Sequence, residues 1–97
     1  MTSIRLTARA RRDLASIAAY TKEVHGSRQA RVYSQLIQDA FERLETHPRI
    51  GIDRSQLKTG YRSLLAGRHF ILYRIVGDYI DIMAIRHQNE DLSRKDL

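Results

Sequence analysis

Arg62, Arg68, His69, Arg74, Arg86 and His87, in the second half of the chain, all fall on adjacent strands or their turns. Guanidinium groups hold phosphate or carboxylate through a planar fork of donors, and imidazole gives or takes a proton near neutral pH. A ribonuclease needs these types: a base for the 2′-OH, an acid for the leaving oxygen and cations for the phosphate. A binding surface for an anionic partner needs the same cations and no proton transfer. Spacing alone does not bring the six to one point. Side chains alternate along a strand, so Arg62 points with Leu64 and away from Tyr61 and Ser63, Arg74 aligns with Phe70 and Leu72, and Arg86 with Ile80 and Ile82. An arginine at the end of an apolar row marks the rim of a core. There it pairs with a helix C-terminus or a carboxylate, or it faces a ligand. His25 and His47 fall at opposite ends of a helical pair and read as cap or surface residues.

These residues must be positioned by a small frame. Ser3–Leu6 alternates as a short edge strand, and Thr7 is a suitable N-cap for a helix from Ala8. Ala10, Leu14, Ile17, Tyr20 or Thr21, and Val24 recur at helical spacing. Gly26 ends that helix in the left-handed conformation glycine adopts cheaply, and Ser27 caps a second at once. The tight link makes the two antiparallel. The second stripe is Ala30, Tyr33, Leu36 or Ile37, Ala40 or Phe41, and Leu44. It stops at Thr46-His47-Pro48, because proline drives the preceding residue out of helical geometry.

Residues 48–60 read as a loop anchored by Ile50, Ile52 and Leu57. Three strands follow: Tyr61–Leu65, then His69–Val76 after the Ala66-Gly67-Arg68 turn, then Tyr79–His87. Gly77-Asp78 suits a two-residue hairpin with glycine at its first central position. His69–Val76 is apolar on both faces, as a central strand is. In the last strand Ile80, Ile82 and Ala84 share the face expected to meet the helices. The sequence therefore predicts one α+β domain over 1–97, ordered β-α-α-β-β-β. An antiparallel helical hairpin covers one face of a small, mainly antiparallel sheet, and a polar tail occupies 88–97.

Composition bounds the function. The hydrophobic fraction of 42% fills one thin core, and a pocket of ~300 Å³ or more would consume much of it. That weighs against a small-molecule substrate. The chain has no cysteine, which excludes disulfides and thiolate zinc sites. P-loop, Gly-rich dinucleotide, His-x-x-x-His and nucleophile-elbow patterns are absent, so no cofactor and no metal are expected. No apolar run approaches ~18 residues and no apolar signal core opens the chain; a soluble, cytoplasmic protein without membrane contact is the expectation. Net charge is +6, carried mostly by arginine. It is uneven: 1–31 and 49–74 are each +5, while 32–48 and 75–97 are each −2. Two basic blocks on a nearly neutral frame suit nucleic acid, a nucleoprotein machine or an acidic protein partner.

Arg5-Leu6-Thr7 with Ala10, Asp13-Leu14, Ile17 and Tyr20-Thr21 resembles the opening of ParE toxins of the RelE/ParE superfamily. The likeness continues through Gly26, Gln29-Ala30, Tyr33, His47-Pro48 and Gly51. It is strongest over Gly60-Tyr61-Arg62-Ser63, Gly67 to Arg74 and Ile80 to His87, and it spans essentially the whole chain. It implies the same hairpin-on-sheet fold and a small bacterial toxin neutralised by an antitoxin encoded beside it. ParE members poison DNA gyrase and block replication, whereas RelE members cleave mRNA in the ribosome. RelE-type nucleases carry basic and Tyr or His residues near the end of the last strand. The corresponding stretch here is Gln88-Asn89-Glu90-Asp91, whose carboxylates would repel a scissile phosphate. ParE proteins commonly follow the terminal His with Met-Asp, and this chain departs from that after His87.

The resemblance thus favours a non-enzymatic gyrase inhibitor, with a ribosome-dependent endoribonuclease as the alternative and a plain interaction module as a third reading. Arg62, Arg68, His69, Arg74, Arg86 and His87 are the candidates for target contact; direct nucleic-acid binding is secondary. The cognate antitoxin is expected across the apolar margins of the hairpin, at Leu14, Ile17, Tyr20, Val24, Tyr33, Ile37 and Phe41, and along a sheet edge.

Overall fold

A computed structural model describes residues 2–90 and 92. The elements are β1 (Ser3–Leu6), α1 (Ala8–His25), α2 (Ser27–Thr46), β2 (Ile52–Asp53), β3 (Arg62–Ala66), β4 (His69–Val76) and β5 (Tyr79–His87). The strands form one mixed sheet in the order β1-β5-β4-β3-β2, with β1 parallel to β5 and the other pairs antiparallel. The α+β hairpin-on-sheet architecture matches the expectation. Residues 91 and 93–97 of the expected polar tail lie outside the described residues.

Three local features depart from the sequence reading. Gly26 has φ 92 and ψ 167, so it uses glycine's positive φ without entering the left-handed helical basin. It is also the N-cap of α2, its carbonyl accepting from Ala30 N–H, while Ser27 is already helical and caps nothing. The expected loop 48–60 contains β2, a two-residue strand on β3. Ile50 and Ile52 are exposed rather than anchoring.

The third departure is a bulge in β5. Leu72 faces Ala84 but Tyr73 faces Ile82, leaving Met83 as an extra residue. An extra residue reverses side-chain phase beyond it. Ile80 and Ile82 face the helices as expected. After the bulge Ile85 takes over that role, and Ala84 and Arg86 turn to the far face. Arg86 therefore does not share a face with Ile80 and Ile82. The bulge is pinned from α1: Thr7 Oγ1 accepts Ala10 N–H (3.1 Å) as the helix cap and donates to Ile82 O (2.9 Å). Asp13 Oδ2 takes the Ile85 N–H (2.9 Å), which β1 is too short to reach.

The core lies between hairpin and sheet and gathers Ala10, Ile37, Ala40, Phe41 and Leu44 against Ala66, Ile71, Tyr73, Ile80, Ile82 and Ile85. On the far face Ser63, Leu72 and Ala84 form a buried cross-strand row. Arg54, in the segment after β2, donates to Ser63 Oγ (2.8 Å) and lies over the Phe70 ring. No helix of the described residues is long and apolar enough to cross a membrane.

Candidate functional site

Burial along the hairpin is uneven, and that unevenness makes the site. The C-terminal half of α2 is buried through Ile37, Ala40, Phe41 and Leu44, whereas α1 buries only Ala10 fully. Toward the Gly26 tip apolar side chains emerge: Tyr20 is 63% exposed, Val24 53% and Val32 56%. An open groove of about 500 Å³ runs beneath this tip. Ile17, Tyr20 and Val32 supply apolar walls, and Arg68, His69 and His87 close it from the sheet, with His25 at the helix end.

The sheet-side wall is a connected polar array. The β3–β4 hairpin turns at Gly67 (φ 60), with Arg68 at negative φ, the pattern of a two-residue turn needing glycine first. Tyr33 from α2 sets its hydroxyl into this turn, accepting Arg68 N–H (2.9 Å) and meeting His69 Nδ1 at 2.5 Å. The hydroxyl also lies 3.4 Å from Ala66 O, so its own proton has two acceptors within reach, that carbonyl and His69 Nδ1. The His69 and His87 rings meet edge to face with centroids 5.2 Å apart. His87 Nδ1 accepts Asn89 N–H (3.1 Å), so a neutral His87 bears its proton on Nε2. Burial lowers the His69 pKa below its ordinary value; His87 adds to this and Glu90 opposes it.

Of the six expected target-contact residues, the fold brings three together: Arg68, His69 and His87. Arg62 sits at the other end of the sheet, its Nη1 donating to Gly51 O (2.9 Å) and Arg49 O (3.4 Å). Arg74 is exposed on the far face, opposite Asp81. Asp81 itself pairs with Arg5 (2.7 Å), whose guanidinium also lies 3.9 Å from the Tyr79 ring centre. Arg86, also on the far face, pairs with Glu90 (2.9 Å). Six basic residues divided between two faces do not form one phosphate site.

Of the expected antitoxin contacts, Tyr20 and Val24 are exposed, and Leu14, Ile17 and Tyr33 are half-buried. Ile37 and Phe41 are 2% and 4% exposed and belong to the core, where the sheet covers them. They do not offer a docking surface on the folded chain. His25 is exposed at the last position of α1, as the sequence reading has it; sequence reasoning missed Val32, which lies off the α2 stripe. A valine off the stripe of an amphipathic helix was the available signal.

A hairpin laid across one face of a β1-β5-β4-β3-β2 sheet, open at its tip, is the frame that positions these residues. The chain belongs to the family of the ParE toxin of the type II toxin–antitoxin system, parDE, whose model matches residues 4–92. It is similar to Toxin ParE1 of Caulobacter vibrioides, 35% identical over 89 residues covering 92% of each chain. Among solved structures it resembles a chain of the chromosomal ParDE system from P. aeruginosa, with TM-score 0.77, 25% identity, and 90% and 96% of the two chains covered. A chain of the RelBE2 toxin–antitoxin complex from Mycobacterium tuberculosis gives TM-score 0.63 and 26% identity over 89% and 96%.

Proposed function

We propose that this chain is the toxin of a type II pair, acting in the cytoplasm by inhibiting DNA gyrase without catalysis and silenced by direct binding of its antitoxin. The observation that carries the reading is the family match across residues 4–92. The site's electrostatics support the non-catalytic branch. Arg62 is occupied with loop carbonyls. The Glu90 carboxylate stands beside Arg86 and accepts His87 N–H (3.1 Å). A phosphate approaching that end of β5 meets an anion there; Asp91, the second carboxylate of the sequence argument, is outside the described residues.

Masking by the antitoxin follows from the exposed tip. Covering a side chain such as Val24 or Val32, each about half exposed in the free chain, stabilises a complex by roughly 1 kcal/mol. The docking surface is Leu14, Ile17, Tyr20, Val24 and Tyr33, without Ile37 and Phe41. Strand addition is restricted. Ile85 N–H and His87 N–H, on the side of β5 beyond β1, are taken by Asp13 and Glu90. An added strand therefore has β1 or the short β2 to pair with.

The test is supercoiling by purified gyrase with the chain titrated in. Loss of supercoiling, restored by the antitoxin, is expected. Unaffected supercoiling together with cut transcripts in a translation extract would replace this reading with the nuclease one.

A further inference from the structure

We infer that the far face of the sheet, turned away from the hairpin, carries a track for single-stranded nucleic acid along the first half of β5. One base lies on the Arg5 guanidinium, a second enters a dent at the Met83 bulge, and phosphates lie against Arg74 and Arg9. The first observation is a stacking platform. Arg5 Nε and Nη2 donate to the two oxygens of Asp81 (2.7 and 3.2 Å), and the same guanidinium lies 3.9 Å from the Tyr79 ring centre. A fork and a ring thus fix its plane, while the side chain stays 48% exposed. Unpaired bases stack on guanidinium planes presented in this way. The second observation is the dent. The bulge turns the small Ala84 to the far face, and a hollow of about 160 Å³ opens there between Arg9, Tyr61, Met83 and Ala84. It is well below the ~300 Å³ or more of a small-molecule pocket, so it admits one flat ring and not a whole ligand.

The third observation is charge. Asp81 is the one carboxylate within Tyr79–His87, and Arg5 holds it. Arg74 is exposed on β4 directly opposite Asp81. Arg9 borders the dent, and Lys58 lies 5.7 Å from the Tyr61 ring centre. Cations therefore outnumber anions along the track, and its ends are acidic: Asp78 in the β4–β5 turn, and Glu90 beside Arg86. Tyr79 and Met83 stand about 13 Å apart along the strand, so platform and dent take separate bases of one chain rather than one mononucleotide. A duplex hides the ring faces that the platform needs. An acidic peptide uses the cations and leaves platform and dent empty.

The experiment is fluorescence anisotropy of a labelled single-stranded oligonucleotide, as DNA and as RNA, titrated with the full chain over a range of salt. Arg5→Lys keeps the charge but loses the plane. It should weaken binding by about fivefold or more, the loss of one stacked base, and should match the wild type on an abasic oligonucleotide of equal length. Arg74→Gln should weaken binding to both oligonucleotides and lower the slope of log affinity against log salt by about 0.7, one phosphate contact on a single strand. Both side chains are exposed, and thermal melting checks the folding of each variant. Equal wild-type affinity for ordinary and abasic strands overturns the track, and so does wild-type behaviour in both variants. Loss of affinity in Arg68→Gln but not in Arg74→Gln would move the nucleic acid to the tip groove and overturn it too. Competition by a polyglutamate peptide as strong as by an oligonucleotide of equal charge would assign the face to an acidic protein instead. The track goes beyond the toxin reading, which the supercoiling assay tests separately.

Discussion

A tyrosine closes each end of the layer between hairpin and sheet, and each works against a glycine. Tyr73 donates to Pro48 O (2.7 Å) and accepts Gly51 N–H (2.9 Å). A Cβ on Gly51 would stand 2.5 Å from that hydroxyl. Tyr33 meets the Gly67 turn in the same way. Each also has an arginine beside it, Arg62 or Arg68. The difference lies in where the arginine goes. Arg62 folds back onto loop carbonyls, and Tyr73 is fully buried. Arg68 points outward, Tyr33 is half-buried, and the neighbouring groups are histidines. One end spends its polar groups on holding a loop, and the other keeps them facing solvent. Interaction capacity in this fold therefore follows local incompleteness rather than residue type.

The largest effect expected from this contrast is at the closed end. In Gly51→Ala the new methyl would meet Tyr73 and, at 2.8 Å, the Ser63 carbonyl, which is backbone and cannot rotate away. Overpacking of this kind costs about 1–3 kcal/mol, and displacing the Tyr73 hydroxyl adds to it. A shift in urea midpoint at constant slope measures the loss; a wild-type midpoint would show that the closed end has slack.

Comparing Tyr73→Phe with Tyr33→Phe tests the asymmetry directly. Removing the Tyr73 hydroxyl orphans a buried N–H and a carbonyl, costing about 1–3 kcal/mol. Removing the Tyr33 hydroxyl frees Arg68 N–H and His69 Nδ1 at the edge of an open groove, where water replaces it, and the cost should stay below about 1 kcal/mol. Equal losses would break the distinction between the two ends. Tyr73 adds a second signature: burial raises its pKa, against the pull of Gly51 N–H and Arg62.

This contrast also marks what could be read in the residues. β4 and β5 have the expected ends, because the Ala66-Gly67-Arg68 and Gly77-Asp78 turns delimit them. Thr7 announced α1. The two-residue β2 carries no period of its own and exists only through pairing to β3. The Met83 bulge was hidden because Met83, Ala84 and Ile85 are all apolar, so the phase change leaves no break in the pattern; the tertiary bonds from Thr7 and Asp13 pin it. Arg68, His69 and His87 were named from their types, but His87 comes opposite His69 only through the one-residue register shift at the bulge. Arg62 looked the same as Arg68 in sequence, and its partners are carbonyls, which any residue can supply.

A smaller effect is expected from pH. His69 has its pKa lowered on folding, by burial first and by His87 second. Between that value and the ordinary one, the unfolded chain binds more protons than the folded chain, so stability rises with pH. The contribution is complete above about pH 6.5 and is lost as pH falls through the folded value. His69 is only half-buried, so the slope is shallow. Melting temperature measured from pH 7.5 to 5 should decline in the wild type and decline less in His69→Gln. Parallel curves would show that the open end is already hydrated enough to leave His69 unperturbed.

The smallest effect belongs to the groove's own apolar wall. Tyr20 is 63% exposed and Val32 56%, so Tyr20→Ser and Val32→Ser remove little buried surface. Each should change free-chain stability by less than about 0.5 kcal/mol, as surface substitutions do. A side chain held there by packing would cost several times more, so denaturation of the two variants separates a structural wall from a vacant one. If both are neutral, an exposed tyrosine and valine at a hairpin tip are not maintained by the fold, and the reason for them has to lie in what covers the groove. A destabilised Tyr20→Ser would mean that the hairpin tip contributes to the core, and the line between the closed end and the open end would have to be drawn nearer to Gly26.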